Sequence, residues 1–156
     1  MALLIGATIA FAQSPRKQAS GDVDGVNIAV DYGSPSVKGR TVWGGLEPYD
    51  KVWRAGANEC TTIEFSKNVS INGKALEAGK YGFFIIPKEN GKWTAIFNKN
   101  AEQWGAFDYD EKLDALRIDV APDWSDDVQE ILMYSVDKNL NFAWEKARIS
   151  LDVKSK

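Results

Sequence analysis

The sequence predicts an all-β fold: an antiparallel sandwich or barrel-like, jelly-roll-type domain of about eight or nine strands, with at most one short helical turn. Three observations lead there. Short runs of alternating apolar and polar residues recur along the chain, separated by Gly, Pro, Asn and Asp. Helical periodicity is almost absent. Aromatic residues make up 12% of the chain, and aromatics favour pleated surfaces. With 156 residues, no internal repeat and no low-complexity tract, one core accounts for the whole.

Taken in order, Leu3 to Ala12 is an apolar run closing on Ala10-Phe11-Ala12, a small-x-small pattern. Residues 1–12 are therefore expected to be a signal peptide cleaved near Ala12, although no Lys or Arg precedes the apolar run. The run is too short to cross a bilayer as a helix. Polar residues 13–21 read as a flexible lead-in, and 22–156 as the single β domain.

Val26 to Tyr32 alternates as a half-buried strand does. Residues 33–48, rich in Gly and Pro, are too punctuated for regular structure and predict a long loop. Val52-Trp53-Arg54 is a short extended piece, and Cys60 to Phe65 a strand. Asn72-Gly73 between Val69-Ser70-Ile71 and Lys74-Ala75-Leu76 is a two-residue hairpin signal, because both residues tolerate positive φ. Lys80 to Ile86 is apolar on both faces, which predicts a central strand covered on both sides. Trp93 to Asn98 returns beside it. Asn100 to Trp104 is the place for one helical turn, stopped by Gly105. Leu116 to Val120, Val128 to Val136, and a long last strand bulged near Lys146-Ala147 complete the set.

Composition excludes more chemistry than it suggests. The chain has no histidine, which removes Ser-His-Asp and Cys-His catalysis and the commonest transition-metal ligand. The single cysteine, Cys60, has no partner for an internal disulfide and reads as a small buried apolar residue. Net charge is −3 with no basic cluster, so neither nucleic acid nor an anionic membrane surface is an expected partner. No transmembrane segment, cofactor, metal site or catalytic set is expected, and the sequence specifies no oligomeric state. Asp22-Val23-Asp24-Gly25 and Asp108-Tyr109-Asp110-Glu111 lack the later ligands of a calcium loop and read as solvated turns.

Two stretches are unlike ordinary strand or turn sequence. One runs from Tyr32 to Arg40 and on to Trp43-Gly44-Gly45-Leu46; the other is Trp53 to Thr61. Both join Trp and Arg to glycines that let backbone approach backbone or ligand closely. These stretches, with Pro48-Tyr49, Gly73-Lys74-x-Leu76-x-Ala78-Gly79-x-Tyr81, Asn98-Lys99, Gln103-Trp104-Gly105 and Trp144-Glu145-Lys146, resemble the bacterial family known as domain of unknown function 2911. The resemblance covers nearly all of the chain after the apolar run. It implies an exported bacterial protein and assigns no activity. The chain departs from the family pattern at Ser34, Asp50 and Cys60, where Arg, Gly and Ala are usual.

On chemical grounds the candidate ligand-binding residues are Arg40, Trp43, Trp53, Arg54, Asn58 and Glu59. An indole beside a guanidinium, an amide and a carboxylate suits a sugar or another polyhydroxyl ligand. The alternative is that Arg54 and Glu59 pair with each other and pin the loop to the domain. The expected function is a secreted or periplasmic, non-catalytic binding or scaffold domain of the bacterial cell envelope. Two other readings stand beside it: a histidine-independent hydrolase with paired carboxylates, Glu59 with Asp31 or Asp108, and a purely structural envelope protein.

Overall fold

The computed structural model describes residues 14–156. The apolar run and the expected signal cleavage lie outside the described residues. Among the described residues eleven strands form three antiparallel sheets, and none of these closes into a barrel. They are β1 Arg16–Val23, β2 Val26–Gly33, β3 Thr61–Phe65, β4 Val69–Ile71, β5 Lys74–Leu76, β6 Gly79–Ile86, β7 Trp93–Asn98, β8 Asp114–Val120, β9 Asp123–Val136, β10 Leu140–Leu151 and β11 Val153–Ser155. The larger sheet has the order β1-β2-β3-β6-β7-β8. Against it lie the pair β10-β9 and the sheet β11-β4-β5; only Asp152 separates β10 from β11, so one long stretch runs through both.

The core lies between these layers. Along β2, Val26, Ile28, Val30 and Tyr32 are buried while Asn27 and Ala29 are exposed. Along β10, Leu140, Phe142, Trp144, Ala147, Ile149 and Leu151 are buried. Side chains from the two layers meet directly: Tyr134 of β9 packs edge-on against Tyr32 of β2 and Phe83 of β6. Burying aromatics on this scale is the main favourable term holding the layers together.

β6 lies inside the larger sheet, between β3 and β7, and is covered on both faces as its sequence predicts. Tyr81, Phe83 and Ile85 enter the main core. Phe84 on the opposite face joins Cys60 and Ile96 in a second cluster, roofed by Val52, Ala106 and Tyr109. Most of the roof is the segment between β7 and β8. It is pinned at its far end, where Tyr109 Oη donates to Asp114 Oδ2 at 2.6 Å and Arg117 Nε donates to the same oxygen at 2.7 Å.

Three differences from the sequence-based expectations have plain causes. Arg16–Val23 is a strand of the domain, not a flexible lead-in; it pairs with β2 over its full length, from Arg16 opposite Gly33 to Val23 opposite Val26. As an edge strand with an open outer face it needs few apolar residues, and its hairpin signal is Asp24-Gly25, whose φ values are +52° and +75°. The helical turn is Glu111–Leu113, capped by Asp110, and not Asn100–Trp104. There the Asn100 side chain accepts from Glu102 N at 3.2 Å and the chain then runs extended beside Glu59. Finally, eleven strands replace the expected eight or nine, because β1 is added and the last strand divides at Asp152. The bulge in β10 centres on Glu145, with φ +53°.

Candidate functional site

The two glycine-rich stretches meet at one end of the sandwich, and their glycines serve backbone-to-backbone packing. A Cβ on Gly33 would lie 2.0 Å from the carbonyl oxygen of Ala57, and one on Gly56 would lie 2.9 Å from that of Gly33. The stretches are thereby locked together, with Ala57 N donating to Gly33 O at 3.2 Å. Ala55 and Asn58 take positive φ, +53° and +62°, to make the path. Tyr134 Oη and Thr61 Oγ1 both donate to Ala55 O, at 2.6 and 3.1 Å.

This packing decides where the sequence-predicted residues go. Trp43 and Trp53 are buried in the core, where Trp43 sits edge-on to Trp53, Trp93 and Trp144. Trp43 Nε1 donates to Glu145 Oε1 at 3.1 Å. Arg40 is exposed but turns back on its own loop, donating to Val37 O at 3.0 Å and Ser36 O at 2.6 Å. Arg54 is half-buried, with its Nε enclosed and without a hydrogen-bond partner among the described residues. Asn58 is half-buried and donates to Ser14 O at 3.4 Å. Glu59 is exposed. The expected alternative of an Arg54–Glu59 pair is not formed: none of the ion pairs among the described residues joins them.

Between the stretches lies a carboxyl that the sequence did not single out. Burial pushes Glu47 up to about 7, against the opposing pull of the Arg54 and Arg40 charges.

A cleft of about 530 Å³ opens on the outer face of the larger sheet, beside the start of the roof segment. Arg16, Asp31, Glu59, Lys80, Glu102 and Trp104 line it. One wall is 101–105, laid antiparallel to 58–60: Glu59 and Trp104 are bridge partners, Cys60 N donates to Gln103 O at 2.9 Å and Gly105 N to Asn58 O at 3.0 Å. The Trp104 side chain stays 52% exposed, which leaves an indole available to a ligand. Arg16 braces the floor. Its Nε bonds Asp31 Oδ1, and its terminal nitrogens donate to Glu59 O and Cys60 O at 3.0 and 2.9 Å. Gln18 Nε2 donates to Asp31 Oδ2 at 3.1 Å. Gln103 adds a buried Oε1 that no donor among the described residues reaches.

Of the six sequence-predicted residues, only Glu59 lines this cleft. Asp31, weighed in the sequence as a possible carboxylate partner of Glu59, lines it too. Arg16, Lys80, Glu102 and Trp104 are the residues sequence reasoning missed as a site. The available signal was Gln103-Trp104-Gly105, an aromatic between polar and glycine residues in an irregular segment. The Cys60 thiol borders the cleft but is buried, and desolvation raises it to about 11, so it supplies no nucleophile. Asp22 and Asp110 bind backbone N–H groups in turns, at Gly25 and Lys112. Among the described residues no three acidic or cysteine side chains gather as a metal cluster, and no helix is long and apolar enough to cross a membrane.

A family model described as a protein of unknown function (DUF2911) matches residues 14–153. No curated protein and no solved structure matches the chain.

Proposed function

The chain belongs to the DUF2911 family, and we propose that it is a non-catalytic binding domain of the bacterial cell envelope that holds a polyhydroxyl, sugar-like ligand in the Trp104 cleft. The observation carrying this reading is the exposed Trp104 indole set among mixed donors and acceptors, with Glu59 and Glu102 as acceptors and Lys80 as donor. A sugar offers an apolar C–H face for the indole and hydroxyls that both donate and accept. The cleft volume falls in the range of small-molecule sites. Envelope residence is supported by the apolar run Leu3 to Ala12 and its Ala10-Phe11-Ala12 ending.

A hydrolase reading draws on one fact, that Glu59 and Asp31 line the same cleft. Against it, both Asp31 oxygens are already taken, by Arg16 and Gln18. The carboxyl with the strongly raised pKa, Glu47, is not part of the lining.

Calorimetric titration with a panel of neutral saccharides tests the proposal. Binding is expected, and Trp104→Ala is expected to weaken it about tenfold, or ~1.4 kcal/mol. Binding unchanged in Trp104→Ala, or no binding at all, would refute the site. Turnover of a bound saccharide that is lost in Glu59→Gln would move the assignment to the hydrolase.

A further inference from the structure

We propose that the ligand site extends beyond the Trp104 cleft as an open groove along the outer face of β1, β2 and β3, and that its ligand is a chain of several sugar units, neutral or amine-bearing. This builds on the reading of the cleft as a polyhydroxyl site.

The outer face of the larger sheet is divided. Over β6 and β7 the roof segment covers Phe84 and Ile96. Over β1 to β3 strand alternation turns polar or small side chains outward, and apart from the buried Thr62 and the half-buried Asp31 these are exposed. Gln18, Ser20 and Asp22 lie on β1, Asn27 and Ala29 on β2, and Glu64 on β3. Two further hollows, of about 190 and 470 Å³, follow one another along this face. The first shares Asp31, Thr62 and Lys80 with the Trp104 cleft. The second shares Ser20, Ala29 and Glu64 with the first. The three concavities are therefore neighbours in a row and not separate sites.

Their extent fits a chain better than a single ring. Arg16 at one end and Asp22 at the other are six residues apart on β1. At about 3.3 Å per residue the floor is ~20 Å long. Ser20 and Ala29 keep the middle of the floor low, so a chain crosses it without displacing a large side chain.

Charge selects the kind of chain. Five carboxylates line the three hollows, those of Asp22, Asp31, Glu59, Glu64 and Glu102, against the two cations Arg16 and Lys80. Arg16 is largely spent on Asp31 and on backbone carbonyls, which leaves Lys80 as the free cation of the lining among the described residues. A polyanionic chain would place its charges against this excess at contact distance, inside the ~8 Å screening length of physiological salt. Neutral hydroxyls and ammonium groups meet acceptors instead.

The test is calorimetric titration of the full chain with cello- and chito-oligosaccharides of two and six units, the de-N-acetylated chito-hexamer, and the hexamer of galacturonic acid. The neutral and amine-bearing hexamers are expected to bind at least about tenfold more tightly than the dimers. Ala29→Trp, or Ser20→Tyr as a second variant, fills the middle of the groove from an exposed position. Either is expected to erase the gain with length while leaving dimer affinity and the melting temperature unchanged. The galacturonic hexamer is expected to bind at least tenfold more weakly than the neutral hexamers. Equal affinity for dimer and hexamer, with binding still lost in Trp104→Ala, would overturn the groove and leave the cleft standing. No binding at any length would overturn both. Tight binding of the galacturonic hexamer would overturn the charge selection and with it the proposal as stated.

Discussion

Glu47 shows what one half-buried carboxyl does to the pH dependence of the whole domain. Its folded-state value, pushed up to about 7, lies above the ordinary 4.5, so between those values the folded protein binds the proton more tightly than the unfolded chain. The stabilisation is complete below about 4.5 and is lost as pH rises through 7. Glu47→Gln mimics the protonated form. It is expected to stabilise the protein by about 1–2 kcal/mol at pH 8 and by almost nothing at pH 4, as read by urea melts at the two pH values. Cys60 makes a second residue-scale prediction. Buried and raised to about 11, it is expected to resist thiol reagents in the native state at pH 8 and to react fully in guanidinium, measured by labelling and mass. Residue by residue, burial of Cys60 was legible in the sequence, whereas the direction of Trp43 and Trp53 was not. Both sit in irregular segments without the period-2 alternation that would show which side chains face the core.

At the scale of elements, two glycines have opposite reasons for being glycine. Gly73 has φ +83°, and an added methyl there would have nothing within 4 Å, so Gly73→Ala meets only backbone strain; a loss of about 1 kcal/mol is expected in equilibrium unfolding. Gly33 is where two chain segments touch, and the added methyl of Gly33→Ala would strike the Ala57 carbonyl. That change is expected to cost about 3 kcal/mol or more, or to abolish folding, read by the same unfolding experiment. The first role was visible in sequence because Asn72-Gly73 stands between two alternating runs. The second was visible only as a choice between backbone and ligand as the close neighbour, since sequence does not say which segment crosses which. The strand character of β1 was hidden for a related reason: pairing with β2 on one edge and an open outer face leave it little need of apolar residues, so its polar composition looks like that of a tail. β6 was legible because burial on both faces writes itself as an unbroken apolar run.

For the molecule as a whole, the larger sheet divides into a roofed half and an open half, and the proposed binding site lies where the two meet. The roof packs Val52, Ala106 and Tyr109 over β6 and β7, and its Ala101–Trp104 stretch forms the wall of the cleft. The all-β class followed from the sequence because it rests on local alternation; the cleft did not, because it joins β1, β2, β3, β6 and the roof, which are far apart in the chain. The six tryptophans offer a direct test, since each indole N–H gives its own signal in a nitrogen–proton correlation spectrum. On titration with a neutral hexasaccharide, the Trp104 signal is expected to shift while those of the buried Trp53, Trp93 and Trp144 stay in place. A shift confined to Trp43 and Trp53, with Trp104 unmoved, would contradict the account and return the site to the glycine-rich stretches.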